Sequence, residues 1–211
     1  MIENMNRFFR LVTRFAMLNA LWIGFTVLGL GVFGLFPATV SLFSISRKWI
    51  QGNEELPLFK SFVAYFKSVF VKANLVGWLA GGIGAVLYLN YRLIRQAGAD
   101  VPLLVTVSFI IIVIFFMLMG VSAFPVSVHF TGGLIELFKK TAMFVFGRFH
   151  IACLFVMIVW GAIHFSLAFP PIILFFSGSV VSYLIMWFFI RTLHKLEKSY
   201  EEQTVSRVIK E

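Results

Sequence analysis

Carboxylates are scarce in this chain, and their placement matters more than their number. Nine Asp and Glu stand against 18 Lys and Arg. The sole aspartate is Asp100, and the glutamates are Glu3, Glu54, Glu55, Glu136, Glu197, Glu201, Glu202 and Glu211. None lies inside a secure apolar run. Ion-coupled carriers usually keep a carboxylate near the bilayer midplane, where an ionisable group is expensive and is retained for function. The paired aspartates of an intramembrane protease are missing, and so is the His/carboxylate cluster of a zinc enzyme. There is no G-x-S-x-G elbow and no P-loop. A single cysteine excludes an internal disulfide framework. These absences predict a chain that is not an enzyme, with no cofactor and no metal site.

What is present is apolar. Hydrophobic residues make up 60% of the 211 and charged residues 13%, with a mean hydropathy of +0.95. A soluble domain is about 25% charged, so this composition excludes a soluble enzyme and a disordered tail. About 20 apolar residues cross a bilayer as a helix, and there is room for several crossings. The +9 net charge clusters at the ends of apolar runs. That pattern points to topology and to anionic lipid, and away from nucleic acid.

Four helical spans follow from length. They cover about Val71 to Leu89, about Val101 to Phe124, the run from Arg148 to Phe169, and the run from Pro171 to Arg191. Pro170-Pro171 reads as a tight turn between the last two. The N-terminal run from Phe15 to Ser46 carries no charge over 32 residues, long for one span and short for two. Gly29, Gly31, Gly34 and Pro37 interrupt it. One helix is expected to end near Leu28, and a second to start near Pro37 and run to about Gln51. The second either completes a hairpin or lies along the surface.

Charge weighs these options. A hairpin gives six crossings and leaves only Arg92 and Arg95 outside, so 16 of 18 basic residues face the cytoplasm. Five crossings place the N-terminus outside and split the basic residues 13 to 5. Both put the tail inside. Phe36-Pro37-Ala38-Thr39-Val40 is echoed 88 residues later by Phe124-Pro125-Val126-Ser127-Val128, which raises an internal repeat and favours five. The predicted fold is all-α: a polytopic membrane protein with five to six transmembrane helices and basic amphipathic interfacial helices. It forms one domain, 1–211. Its segments are a basic start (1–14), a glycine/proline-broken pair (15–51), an amphipathic helix into a span (57–91), a span and amphipathic helix (101–147), a hairpin (148–192) and a cytoplasmic tail (193–211).

In PLFKSFVAYFKSVF, Lys60, Ser61, Ala64, Lys67 and Ser68 share one arc of a helical wheel, and Phe59, Phe62, Phe66 and Phe70 fill the rest. This fits a helix in the cytoplasmic interface, or one packed on other helices. LIELFKKTAMFVF repeats the layout with Glu136, Lys139 and Lys140. Asn19 sits inside the first apolar run, where an amide needs a partner, so it is expected to hydrogen-bond a neighbouring helix. Ala73, Gly77, Gly81 and Ala85 recur every four residues and predict a close helix–helix face. His164, beside Trp160, reads as an interfacial anchor, His129 as part of a packed interface, and Cys153 as buried packing.

Leu18-Asn19-Ala20-Leu21-Trp22, then Phe36-Pro37-Ala38-Thr39-Val40-Ser41-Leu42-Phe43, then Arg47-Lys48-Trp49 and Gly52, resemble the YesL-like family of bacterial membrane proteins. The resemblance runs nearly full length, and its specificity lies in the N-terminal third. In Gram-positive bacteria this family is often encoded beside ABC-type sugar importers, glycoside hydrolases and sugar-sensing regulators. The resemblance therefore implies a plasma-membrane protein with a role in oligosaccharide uptake. An accessory subunit bound to the permease subunits of a carbohydrate ABC importer fits the lack of an engine. An independent carrier or channel, or a membrane partner of a sugar-sensing regulator, are the alternatives. The residues that would carry architecture or partner contact are Asn19, Trp22, Phe36, Pro37, Ala38, Thr39, Arg47, Lys48, Trp49, Gly77 and Gly81.

Overall fold

The structure, a computed structural model, describes residues 2–53, 55–98, 101–130, 132–169 and 171–208; side chains 2–4, 6–8, 174 and 197–208 are not described. Glu54, Asp100 and Pro170 lie outside the described residues, as do the side chains of Glu3 and the tail acids and bases from Glu197 on.

Among the described residues there are eight helices. The first is α1 (Ile2–Leu28), which ends where expected. The turn after it is a Schellman motif: Gly31 N–H reaches Thr26 O at 2.8 Å and Leu30 N–H reaches Val27 O at 2.9 Å. The left-handed residue is Leu30, with φ 57°, followed by Gly31 at φ 73°. A branched side chain in that region costs about 1–2 kcal/mol. Leu30 is 82% exposed, so its side chain recovers little by packing within the chain. Leu30→Gly is therefore expected to raise the melting temperature of the detergent-solubilised protein, by about 1 kcal/mol of stability.

The next helix, α2 (Val32–Ile50), starts five residues before Pro37, so the expectation of a start near Pro37 is corrected. Pro37 is the sixth residue of the helix, past the first turn, and its missing N–H forfeits one bond to Phe33 O; membrane helices tolerate such a loss where neighbouring helices and hydroxyls surround it. The other Phe-Pro pair makes no turn either, since Pro125 also lies inside a helix. A second Schellman motif closes α2: Asn53 N–H donates to Lys48 O and Gly52 N–H to Trp49 O, both at 3.0 Å, with Gly52 at φ 88°. Glycine is needed there because no side chain sits comfortably at that angle.

The amphipathic segment and the span after it form one helix, α3 (Leu58–Ala97), of 40 residues. At 1.5 Å per residue that is about 60 Å, twice a hydrocarbon core. A separate interfacial helix is thus not formed here. Phe62 is fully buried, and Phe25 meets the Phe62 and Phe66 rings at 5.2 and 5.1 Å. The polar arc stays outside, with Lys60, Ala64, Lys67 and Ser68 exposed. Then come α4 (Leu103–His129), α5 (Leu134–Gly147), α6 (Phe149–Ala168), α7 (Pro171–Phe175) and α8 (Ser177–Val208). The run from Pro171 to Arg191, expected as one helix, is divided at Phe176.

Within α1, the stretch Phe9–Leu28 is long and apolar enough to cross a membrane, as are α3, α4 and α6. The chain is accordingly a helical membrane protein. Its outer apolar surface fits lipid: Ile110, Ile111 and Ile112 on α4 are each at least half exposed.

The hub is α2, which packs against α1, α3, α4 and α8. It is buried at Ala38, Ser41, Leu42, Ile45 and Ser46, so it does not lie along the surface. It runs antiparallel to α1, with Phe15 edge-on to Trp49 at one end and Gly29 against Gly34 at the other. It runs parallel to α4, since Phe43 stacks on Phe124 at 5.7 Å and Arg47 reaches Val128 at 2.8 Å. A second core joins α4, α5, α6 and α8 around Val126, Phe144, Phe155 and Phe189. The start of α1, the ends of α2 and α4, and the later part of α8 therefore gather at one basic end of the bundle. Arg92 and Arg95 sit at the far end of α3.

Candidate functional site: the polar seam of α1, α2 and α8

The break between α7 and α8 leaves backbone groups without helical partners, as any helix end does. Asn19 on α1 supplies them. Its Oδ1 accepts from Gly178 N–H at 2.9 Å and Ser179 N–H at 3.2 Å, and its Nδ2 donates to Ile173 O at 2.9 Å. The amide thus caps the start of α8 and holds the end of α7, from a fully buried position midway along an apolar helix. The expected interhelical bond from Asn19 is observed. Gly178 is small because Asn19 Oδ1 and Trp22 Cε3 would each lie 3.0 Å from a Cβ there.

The seam continues through hydroxyls. Trp22 Nε1 donates to Thr39 Oγ1 at 3.1 Å, and Thr39 Oγ1 donates to Leu35 O at 2.7 Å. Ser46 on α2 and Ser182 on α8 share a buried bond of 3.0 Å. At the basic end Arg47 Nη1 donates to Val128 O, in the last turn of α4. A guanidinium there satisfies a terminal carbonyl and complements the negative end of the helix dipole. Lys72 Nζ reaches Gly132 O at 2.6 Å, and Lys140 lies 4.9 Å from the centre of the Phe130 ring. Cations from α2, α3 and α5 thus converge on the α4–α5 connection.

Most of the sequence-predicted residues come together along this seam. Asn19, Trp22 and Thr39 are linked through it, Ala38 is fully buried in the α1–α2–α3 core, and Pro37 is buried on α2. Trp49 is buried beside Phe15. Phe36 packs its ring where a Cβ on Gly77 would fall. Lys48 and Gly81 stand apart: both are exposed, and a Cβ on Gly81 would meet nothing within 4 Å. The small-residue stripe is therefore covered at Ala73 and Gly77 and open at Gly81 and Ala85. His129 makes edge contacts with Phe130 and Phe189, as an interface residue would. His164 is exposed and lies against Trp160, with ring centres 4.0 Å apart.

Sequence reasoning missed Gly178, Ser46, Ser182 and the carbonyl partner of Arg47. The SGS run at Ser177–Ser179 marked a weak point in an apolar stretch, and Asn19 was the amide able to repair it. Two cavities flank the seam. One, of about 420 Å³, lies beside the break and is lined by Trp22, Thr39, Ser166, Gly178 and Ser182 among apolar residues. The other is a cleft of about 650 Å³ at the basic end, walled by Arg10, Arg14, Trp49, Asn53, Glu55 and Tyr183. Among the described residues no three His, Cys, Asp or Glu side chains come together.

Known proteins place this architecture in a family. The model of the family described as protein of unknown function, DUF624, matches residues 15–91, which hold α2 and most of α1 and α3. The uncharacterized protein YteU of Bacillus subtilis is 36% identical over 200 residues, covering 93% of this chain and 88% of that protein. The uncharacterized protein YesL of the same organism is 31% identical over 201 residues, covering 95% of each. YesV, likewise uncharacterized, is 25% identical over 197 residues, covering 90% of this chain and 92% of that protein. No solved structure matches the chain. The identity to YteU and YesL extends over nearly the whole length, beyond the capped hairpin and the hub helix, and the chain belongs to the YesL-like DUF624 family.

Proposed function

We propose that this chain is an accessory membrane subunit that associates with the permease subunits of a carbohydrate ABC importer. The observation that carries this reading is the open end of the α3 stripe. Gly81 and Ala85 present a flat, small-residue face to the surroundings, while the same stripe one turn earlier is filled by Phe36. Such faces let helices approach closely in lipid. The polar groups along α1, α2 and α8 support it as well, because many are bonded to one another instead of to an open path. Bound to a permease, the chain would brace it or bias its inward–outward equilibrium, through contacts that differ between the two states.

The arrangement we propose has six crossings: α1, α2, α3, α4, α6 and the α7–α8 pair, in the bacterial plasma membrane with both termini cytoplasmic. It places the basic end of the bundle inside, toward anionic lipid, and leaves Arg92 and Arg95 outside, in accord with the positive-inside rule. With Cys153 replaced by serine, Met5→Cys is expected to resist an impermeant thiol reagent in intact cells and Gln96→Cys to react. The reverse pattern contradicts this topology.

A second reading, an independent carrier, draws on the cavity beside the broken helix, since discontinuous helices often border transport sites. Two measurements separate the readings. Deleting the gene lowers oligosaccharide uptake by an importer already in the membrane if the chain is an accessory subunit. Purified protein in vesicles moves a sugar by itself only if it is a carrier.

A further inference from the structure

We propose that the cleft at the basic end of α1, α2 and α8 binds a phosphate ester bearing free hydroxyls. This chemistry is shared by a phosphatidylglycerol headgroup and a soluble polyol phosphate. The inference does not depend on what the chain assembles with.

The cleft measures about 650 Å³, a size suited to a small ligand. Arg10 and Arg14 stand one helical turn apart on α1, and both line it. Two guanidinium forks on one wall suit a phosphate, which takes paired, charge-assisted hydrogen bonds. Asn53 and Glu55, on the loop after α2, also line it. A bare anion would be repelled by Glu55. A phosphate ester with hydroxyls meets the arginines with its phosphate and donates its hydroxyls to Asn53 and Glu55.

The aromatic wall is rigid. Phe15 stands edge-on to both Trp49 and Tyr183, at 5.4 and 5.3 Å, which fixes their rings. Trp49 lines the cleft, so its emission reports on a bound ligand. The membrane-crossing stretch of α1 begins at Phe9, so Arg10 and Arg14 lie within its first turns, where lipid phosphates sit.

The test uses the purified full-length protein in detergent. Melting temperature and tryptophan emission are followed while short-chain phosphatidylglycerol, short-chain phosphatidylcholine or glycerol 3-phosphate is added. Saturable stabilisation by phosphatidylglycerol is expected, with phosphatidylcholine weaker by about tenfold or more. The emission change should vanish in Trp49→Phe. The Arg10→Gln, Arg14→Gln double variant should bind about tenfold more weakly or worse. Glycerol 3-phosphate binding as well assigns a soluble ligand; phosphatidylglycerol binding alone assigns a lipid. No saturable response to either overturns the proposal, as does wild-type affinity in the double arginine variant. Should that variant fail to fold, Glu55→Gln on the exposed loop decides. It is expected to lose the preference for phosphatidylglycerol over phosphatidic acid, and an unchanged preference overturns the proposal.

Discussion

Asn19→Leu should unravel the start of α8 and destabilise the whole bundle by roughly 3 kcal/mol or more. Leucine matches the volume and apolarity of the surroundings, so packing alone would call the change mild. What it removes is the acceptor of Gly178 N–H and Ser179 N–H and one of two donors to Ile173 O, which keeps the Ser177 hydroxyl at 3.1 Å. These groups sit at a helix break, where the i→i−4 pattern offers the two N–H groups little replacement. Each polar group left buried without a partner costs about 1–3 kcal/mol. Hydrogen bonds between intact membrane helices average only about 0.6 kcal/mol, because the separated helices find other partners. The break removes that escape, since the backbone itself is what Asn19 satisfies. Hydrogen exchange is the discriminating readout: amides from 176 to 180 should exchange far faster, with those of the α1–α2 hairpin little changed. Unaltered exchange there would show that the break does not depend on the amide.

Gly34→Ala should be as damaging, for a steric reason. A Cβ at position 34 would lie 2.5 Å from both Phe25 O and Thr26 O and 2.8 Å from Thr26 Cα. All three are backbone atoms of α1, so no rotamer change relieves the clash, and the hairpin must open. Overpacking in a well-packed core costs about 1–3 kcal/mol even when side chains can move. Here the cost should reach the upper end of that range or exceed it. Gly24→Ala, in the same helix pair, is the control: nothing lies within 4 Å of its Cβ. It should leave stability unchanged or raise it by up to about 1 kcal/mol. Thermal unfolding of the variants in one detergent tests the contrast, and equal effects at the two positions would contradict the tight hairpin.

The contrast between those glycines shows what was legible in the sequence. That the first apolar run breaks after Leu28 could be read from Gly29, Gly31, Gly34 and Pro37. Their roles could not. Pro37 was expected to open the second helix and instead lies inside it, one backbone bond short, buried among neighbouring helices where membrane helices tolerate proline. The left-handed turn residue proved to be Leu30, with a glycine either side of it. Gly34 serves close approach, a property of two helices that no single stretch of sequence displays. The amphipathic arc of Lys60, Ser61, Ala64, Lys67 and Ser68 was legible and is exposed except at Ser61, which is half-buried. Its continuity with the following span was not, since nothing around the Phe70–Val71 junction signals either a stop or a passage.

At the seam, Asn19 announced itself by chemistry, as an amide in hydrocarbon that must find a partner. Its partners are backbone atoms more than 150 residues away, and the uninterrupted apolar run after Pro171 gave little sign of a break. The Ser177-Gly178-Ser179 triplet is the residue-level trace of it. Arg47 was legible as part of a basic cluster at the end of an apolar run. Its reach to Val128 depends on α2 and α4 lying parallel, and parallel packing is a tertiary fact.

The proposed association with permease subunits runs through the open face of α3. The most direct measurement is affinity purification of the tagged chain from its native host in a mild detergent, with the bound proteins identified by mass spectrometry. Wild type and Gly81→Leu are compared. Gly81 has open space around its Cβ, so the leucine should leave the fold intact while blocking a close helix contact. Permease subunits of a carbohydrate importer are expected with wild type, and a marked loss of them with Gly81→Leu at equal yield. Absence of any permease subunit from the wild-type purification would contradict the proposed association.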